Sequence, residues 1–160
     1  MGQQQLLLVI LVTILVGIAT VVALNVFGTA AEDANRDAVR QDILQGASQA
    51  QAIHARPTAL DGAGRDFTRI QDDGAGEGDD LITRLGMPVV FEHENCTDAT
   101  GNYGNENGCY VVDVIDANSL RITGDPSSDP DNQIFAIVSR DVDTGSWEIG
   151  WDGSDPFASS

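Results

Sequence analysis

The chain has 160 residues, of which 42% are hydrophobic, a size and composition that suit one modest domain. Its 25 acidic and 8 basic residues give a formal net charge of -17 and a pI near 4.1. Because nucleic-acid binding depends on clustered Lys and Arg, this balance argues against DNA or RNA as a partner. With two His, two Cys and no Gly-rich phosphate loop of the usual spacing, we predict no catalytic residues and no enzyme activity.

The charges are distributed unevenly along the chain. Residues 1–31 carry no charged side chain, so all 33 charged residues lie from Glu32 onward. The sequence therefore divides into an apolar N-terminal part and a very acidic remainder.

The segment from Leu6 to Phe27 is apolar over 22 residues, interrupted only by Thr13, Gly17, Thr20 and Asn25. A helix of this length spans roughly 33 Å, which is enough to cross the hydrocarbon core of a bilayer. Three interpretations compete: a cleaved signal peptide, a permanent single-span anchor, and the N-terminal helix of a filament subunit.

A signal peptide has a basic n-region and an apolar stretch of about 7–15 residues. Residues 1–5, MGQQQ, carry no positive charge, and the apolar run is longer than that. The pattern therefore disfavours a signal peptide, and the anchor and the filament subunit both remain open.

The helical pattern continues beyond Gly28. Apolar residues recur at spacings of three to five, with acidic residues and Arg on the opposing faces, including Arg36 and Asp42. Pro57 cannot continue a helix, so we predict one helix from Gln5 to Ala55. The residues of the apolar stripe are Ala31, Ala34, Val39, Ile43, Ala47, Ala50 and Ile53.

After Pro57 the chain becomes Gly-rich and acidic, with predicted loops at 61–64 and 72–80, a packed turn at Phe67 and Ile70, and a short helix over 80–86. The strand candidates are Val89–His93, Cys109–Ile115, Leu120–Thr123, Ile134–Ser139 and Ser146–Trp151. Turns at 116–118 and 143–145 predict that the last four strands form an antiparallel meander. The fold class is therefore α+β: a long helix whose amphipathic half covers a small sheet.

Cys96 and Cys109 bracket a polar, Gly-rich loop that no hydrophobic core would hold. We predict a disulfide, which implies an oxidising, extracytoplasmic location. The alternative is a metal or redox pair, although the spacing fits neither a zinc knuckle nor C-x-x-C chemistry.

An uncharged N-terminus that leads into an apolar helix, continues as an amphipathic helix and ends in a small β-rich domain with a disulfide resembles the type IV pilin superfamily. At residue level the resemblance is carried by Met1 to Phe27. It implies a structural subunit of an extracellular, pilus-like helical filament on the cell surface, a homo-oligomer held in the inner membrane before assembly. It also implies a pilus assembly machinery and a prepilin peptidase as partners, and roles such as adhesion, motility, biofilm formation or secretion.

The resemblance divides the chain into an apolar membrane or filament-core helix (1–28), its amphipathic continuation (29–56) and an acidic β-rich head (57–160). If Met1 is the mature N-terminus, the fifth position, usually Glu in the family, is Gln5; cleavage after Gly2 would make Leu7 fifth. Gln5 can still accept a hydrogen bond from a neighbouring amine. The predicted filament-core residues are Gln5, Leu6, Leu7, Leu8, Ile10, Leu11, Ile14, Leu15, Gly17, Ile18, Val21, Val22, Leu24 and Phe27.

The alternative function is a single-span anchored protein, or a minor pseudopilin of a secretion system, that displays an acidic binding head. The two functions differ in an observable, because filament helices must self-associate along their whole apolar surface, whereas an anchor stays in the membrane as small oligomers.

Few residues of the head indicate ligand chemistry. Asp141, Asp143 and Glu148 form a D-x-D-x-G-x-x-E pattern with the oxygen ligands that calcium prefers, but it does not match the twelve-residue calcium loop. We predict no cofactor and no metal site, and keep these three residues as the candidate calcium ligands. His54 and His93 have no nucleophile partner in the sequence, so we expect structural or surface roles for both.

All eight basic residues are Arg, and Asp outnumbers Glu by 19 to 6. An acidic surface without Lys stays hydrated when salt screens its repulsion, so we hypothesise a halophilic source or a salty extracellular setting; a GC-rich genome would also replace Lys by Arg.

The salt hypothesis predicts that the melting temperature of the acidic part rises between low and molar salt, because screening removes repulsion between its carboxylates. Thermal melts followed by circular dichroism measure this, and equal melting temperatures at both salt concentrations would contradict the hypothesis.

Overall fold

The computed structural model describes residues 2–70, 79–94, 96 and 103–151. The chain divides into two compact units, residues 1–34 and 35–160. Of the loop predicted over 72–80, residues 72–78 lie outside the described residues, and Asp79 begins a helix instead. Asp80 lies in this helix, in agreement with the short helix predicted over 80–86.

Helix α1 runs from Gly2 to Ala55, in agreement with the prediction of one helix that ends before Arg56 and Pro57. No Pro interrupts it, and Gly occurs within it only at widely separated positions. Pro57 itself adopts an extended conformation with φ -62° and ψ 149°. Its ring fixes φ and it has no amide hydrogen, so the helix cannot extend through it.

The unit 35–160 contains the last part of α1, two 3-10 helices (Thr58–Leu60 and Phe67–Ile70), a short helix α2 (Asp79–Arg84) and one sheet. The sheet has six strands in the order β1-β2-β3-β4-β5-β6, and every neighbouring pair is antiparallel. The strands are β1 Val90–Phe91, β2 Tyr103–Gly104, β3 Gly108–Val114, β4 Ser119–Pro126, β5 Ile134–Arg140 and β6 Trp147–Trp151. This arrangement confirms the α+β class and the meander of the last four strands.

The sheet differs from the prediction at three places. The first strand covers only Val90 and Phe91 of the predicted Val89–His93, and both side chains are exposed. Strand β2 was not predicted, because Tyr103 and Gly104 lie in a segment rich in Gly and Asn. Strand β4 continues past Thr123 to Pro126, because Gly108 and Cys109 of β3 pair with Pro126 and Asp125.

The core lies between α1 and one face of the sheet. Val39, Ile43 and Ala47 of the helix are fully buried, and so are Leu120 and Ile122 of β4. Their spacing along the helix is the predicted apolar stripe, which also includes the buried Ala50 and Ile53. The predicted stripe was wrong at Ala31 and Ala34, which are exposed and belong to the N-terminal unit.

Two glycines let the helix and the sheet approach closely. A Cβ added at Gly124 of β4 would lie 2.7 Å from Val39 Cγ1, and one added at Gly46 of α1 would lie 2.9 Å from Met87 Sδ. At Gly124 a Cβ would displace the buried Val39, whereas at Gly46 the flexible Met87 side chain would have to shift. The close contact brings Val39 and Ile43 onto β4.

Short elements close the ends of this core. Phe67 and Ile70 are buried on the second 3-10 helix, as predicted, and Leu81 and Ile82 are buried on α2. The short helix α2 is followed by Gly86 with φ +59°, a conformation that favours Gly after a helix.

Cys96 and Cys109 form the predicted disulfide, with Cα atoms 5.6 Å apart. The bridge closes a loop with a sequence separation of 13 residues, and loop-closure entropy of this size stabilises a fold by about 3 kcal/mol. It ties the start of β3 to the segment that precedes β2.

Candidate functional site

The N-terminal unit presents an apolar surface on all sides of α1. Sixteen large hydrophobic side chains between Leu6 and Phe27 are 48–72% exposed. Residues 6–12 are seven consecutive apolar positions, and consecutive positions point in all directions around a helix. All 14 predicted filament-core residues lie on this exposed surface. Their packing against other copies stays a prediction.

The threonines of this unit do not make the surface polar. The hydroxyl of Thr13 donates to the Ile10 carbonyl at 2.9 Å, and the hydroxyl of Thr20 donates to the Val16 carbonyl at 2.8 Å. Thr29 likewise donates to Val26 at 3.1 Å. Since each hydroxyl proton is used within the helix, these residues can enter an apolar environment without an external acceptor.

By length and composition, α1 meets the requirement for a membrane span, and it is the one such helix in the described part of the chain. None of the apolar window that meets the requirement is buried within the protein. An apolar helix of this kind is stable either in lipid or against other apolar helices.

In the second unit, α1 is tied to the sheet by hydrogen bonds at the start of its amphipathic part. The side chain of Asn35 donates to the Asn107 carbonyl at 2.9 Å and accepts from the Ser128 hydroxyl at 2.8 Å. Next to it, Arg36 Nη1 lies 3.1 Å from Asp129 Oδ2. We call these contacts of Asn35 and Arg36 the helix clamp.

A second tie is centred on Asp42. Its Oδ2 accepts hydrogen bonds from the Tyr110 hydroxyl at 2.6 Å, Asn105 Nδ2 at 2.9 Å and Asn107 Nδ2 at 3.0 Å. Asn105 Nδ2 also donates to the Pro88 carbonyl at 3.0 Å. One carboxylate oxygen therefore holds together the helix, strand β3 and the turn between β2 and β3.

Tyr110 is held in its neutral, protonated form at the Asp42 site. The side chain is 1% exposed, and burial, together with the neighbouring Asp42 carboxylate, raises the pKa of Tyr110 far above its usual value. The neutral hydroxyl therefore persists through the whole physiological range and keeps donating to Asp42. Because Tyr110 follows Cys109, the Asp42 site and the disulfide act on the same end of β3.

Arg36 and Asp42 were predicted on the helix faces opposite the apolar stripe, with no partner assigned. In the structure Asp42 binds the β2–β3 turn and Arg36 binds Asp129. Their partners lie in loops about 60 to 90 residues later in the chain, and no local sequence pattern predicts such a pairing.

His54 lies in an aromatic cluster inside the head. Its ring is 4.8 Å from that of Phe67 and 5.1 Å from that of Trp147, and the side chain is 2% exposed. Burial lowers the pKa of His54, while a hydrogen bond with the Ala117 backbone opposes this effect. The cluster fits the expected structural role. Trp147 and Trp151, one face of β6, both pack against the core.

The candidate calcium ligands do not converge. Asp141 Oδ1 accepts from the backbone amides of Asp143 and Thr144, at 2.7 and 3.0 Å, and so closes the β5–β6 turn. These bonds lower the pKa of Asp141. Among the described residues, no group of three or more His, Cys, Asp or Glu side chains has metal-binding geometry.

The described residues of the second unit line open cavities, two of which have a polar lining. One, of about 320 Å³, lies between the β3–β4 and β5–β6 turns and is lined by Asp116, Ser119, Arg140 and Asp141, among others. The other, of about 360 Å³, lies where α1 passes the sheet edge and is lined by Arg36, Arg40, Leu44, Gln133, Ile134 and Trp151.

Comparison with known proteins adds no relative: no family model matches the chain, and no match was found among curated proteins or solved structures. The chain has a pilin-like architecture, a long N-terminal apolar helix continuing onto an antiparallel sheet. Any more specific assignment rests on the surfaces described above.

Replacing Asp42 by Ala is expected to lower the free energy of unfolding of the head by about 2–3 kcal/mol, because the Tyr110 hydroxyl and two amide donors lose their acceptor. Trp fluorescence during guanidinium unfolding of the detergent-solubilised chain measures the change. Asp37→Ala is the matched control, since Asp37 lies on the same helix, is 75% exposed and forms an exposed ion pair with Arg40. Such a pair contributes about 0.5 kcal/mol. Equal losses in both variants would contradict the role of Asp42.

The lowered pKa of His54 predicts that the head loses stability as pH falls below about 6.5. There the unfolded His binds a proton that the folded, buried ring resists, so acid favours unfolding. His54→Phe keeps an aromatic ring beside Phe67 and Trp147 and removes the titration. Between pH 7.5 and 5, the slope of unfolding free energy against pH should be smaller in the variant, by up to about 1.4 kcal/mol per pH unit. Parallel slopes would show that His54 does not titrate differently on folding.

Proposed function

We propose that the chain is a structural subunit of an extracellular, type IV pilus-like helical filament, assembled by bundling of the apolar halves of α1. The observation that carries this proposal is the all-round exposure of sixteen large hydrophobic side chains between Leu6 and Phe27. Monomeric soluble proteins rarely expose a continuous apolar surface of this size. Several neighbours, rather than one, are needed to cover a helix that is apolar on every side.

The head supports a structural role on the outside of such a filament. Its disulfide belongs to an oxidising compartment, and the charge of residues 32–160 keeps a crowded surface hydrated. The helix clamp and the Asp42 site fix the amphipathic half of α1 in the head. A subunit that bears load through its helix requires such a firm attachment.

Before assembly, the apolar half of α1 would reside in the membrane, and assembly would exchange lipid for neighbouring helices. Under this proposal the partners are further copies of the chain, the assembly machinery and the prepilin peptidase that the pilin resemblance implies. Nucleic acid is not a partner, because the net charge of -17 opposes binding to phosphates.

The second candidate function is a single-span anchor or minor pseudopilin that displays the acidic head. The membrane-competent length of α1 favours it equally. The two proposals differ in what they require of the apolar surface, because lipid accepts any apolar side chain whereas a bundle of helices requires side chains that interlock.

Negative-stain electron microscopy of material sheared from cells, combined with N-terminal sequencing of the purified chain, tests the filament proposal. We expect thin fibres composed of this chain, with sequencing identifying the residue at the fifth position. Absence of fibres, with the chain confined to the membrane fraction, would overturn the filament proposal and favour the anchor.

The double variant Ile14→Ala and Ile18→Ala separates packing from membrane insertion, because Ala stays apolar while it removes volume from the helix surface. We expect normal membrane insertion and about tenfold fewer fibres. Val142→Ala is the control, since Val142 is 72% exposed and lies in the β5–β6 turn of the head, outside the apolar surface of α1. Unchanged fibre yield in the double variant would contradict assembly through this surface.

A further inference from the structure

Asn25 is the polar residue of the Leu6–Phe27 segment whose side chain has no hydrogen-bond partner within the described residues. The hydroxyls of Thr13 and Thr20 donate to the backbone of the same helix. The amide of Asn25 offers two donors and one acceptor, and it is exposed on the helix surface. Its partner must therefore come from outside the helix.

An unpaired amide in an apolar bundle is costly. Removing an amide from water without a hydrogen bond is unfavourable, whereas a hydrogen bond between helices in an apolar environment is favourable. A bundle of these helices is therefore favoured in the register that gives Asn25 a polar partner, over registers that place it against Leu or Val.

The helix surface around Asn25 permits such a contact. Gly28 lies three residues further along the same face, and a Cβ added there would meet nothing within 4 Å. A neighbouring backbone can therefore approach the amide closely. Polar acceptors are present on a second copy of the chain, because the hydroxyl oxygens of Thr13, Thr20 and Thr29 keep free lone pairs after donating their protons inward.

We propose that Asn25 sets the register between neighbouring apolar helices, by a hydrogen bond from its side-chain amide to a polar atom on a second copy of the chain. The inference rests on the proposed filament. Leu, Ile and Val side chains of similar size recur along the helix and fit one another in several registers, whereas one amide distinguishes between them. Single buried Asn residues fix register in this way in coiled coils.

The test compares filaments of the full-length wild type, Asn25→Leu and Asn25→Gln by electron microscopy with measurement of helical rise and twist. Leu branches at Cγ as Asn does and needs no hydrogen-bond partner, so we expect Asn25→Leu to assemble within about threefold of the wild-type yield. Its filaments should show several values of rise and twist instead of one. Gln keeps the amide, so Asn25→Gln should retain one dominant form.

Leu24→Met is the matched control, because it exchanges one exposed apolar side chain for another of similar volume beside Asn25. It should leave rise and twist unchanged. Asn25→Leu filaments as uniform as the wild type would overturn the inference, as would Asn25→Gln filaments as disordered as those of Asn25→Leu. If Asn25→Leu formed uniform filaments but changed the amount of the chain found in membranes, the inference would also be overturned, because the amide would then contact lipid headgroups. Wild-type cells without fibres would instead overturn the proposed function itself.

Discussion

Exposing the apolar half of α1 to water is unfavourable in free energy, and the function of the chain depends on how this surface is covered. Burying one large hydrophobic side chain is worth about 1.5–3 kcal/mol, and sixteen such side chains stay exposed between Leu6 and Phe27. Lipid or further helices must supply the missing contacts. The first charged residue is Glu32, and the first tie to the head is made by Asn35. One continuous helix therefore changes its chemical environment within a single turn.

Polar contacts and the disulfide add to the stability that the small hydrophobic core between α1 and the sheet provides. The part of α1 that faces the sheet includes Gly46, Ala47 and Ala50, which bury little apolar area per residue. Small residues bring the helix close to β4, but they leave less hydrophobic stabilisation than Leu or Phe would supply. The clamp at Asn35, the Asp42 site and the disulfide add attachments at one end of β3 and at the neighbouring turns.

The periodic parts of the fold could be predicted from the sequence. The stripe that includes Val39 and Ile43 identified the helix, and short runs rich in apolar and aromatic residues identified β3, β5 and β6, because these patterns reflect burial directly. Strand β2 has no such pattern, since Tyr103 and Gly104 are held by strands β1 and β3 on either side. The same reason explains the longer β4, whose last residues are paired through Gly108 and Cys109 despite a poor strand propensity.

The candidate site shows the same division. The apolar surface of α1 follows from composition alone, because no charged residue precedes Glu32. The contact partners of Asp42 and His54 could not be predicted, since the fold brings them together from distant positions. They are three donors from residues 105–110 for Asp42, and the rings of Phe67 and Trp147 for His54. Sequence patterns indicate which residues are buried, whereas hydrogen-bond partners far apart in the chain depend on the tertiary structure.

In a filament, the two parts of the chain would oppose each other. The attraction between copies would come from the uncharged helix, whereas the net charge of -17 is carried entirely by residues 32–160 and would repel neighbouring heads. Apolar attraction of this kind strengthens in many salts, and screening shortens the repulsion to about 3 Å at 1 M. High salt would therefore favour assembly in two ways, by strengthening the attraction between helices and by weakening the repulsion between heads. An aliphatic helix surface supplies strength with little specificity, so the geometry of the assembly would be decided by its few polar groups and by the spacing that the acidic heads enforce.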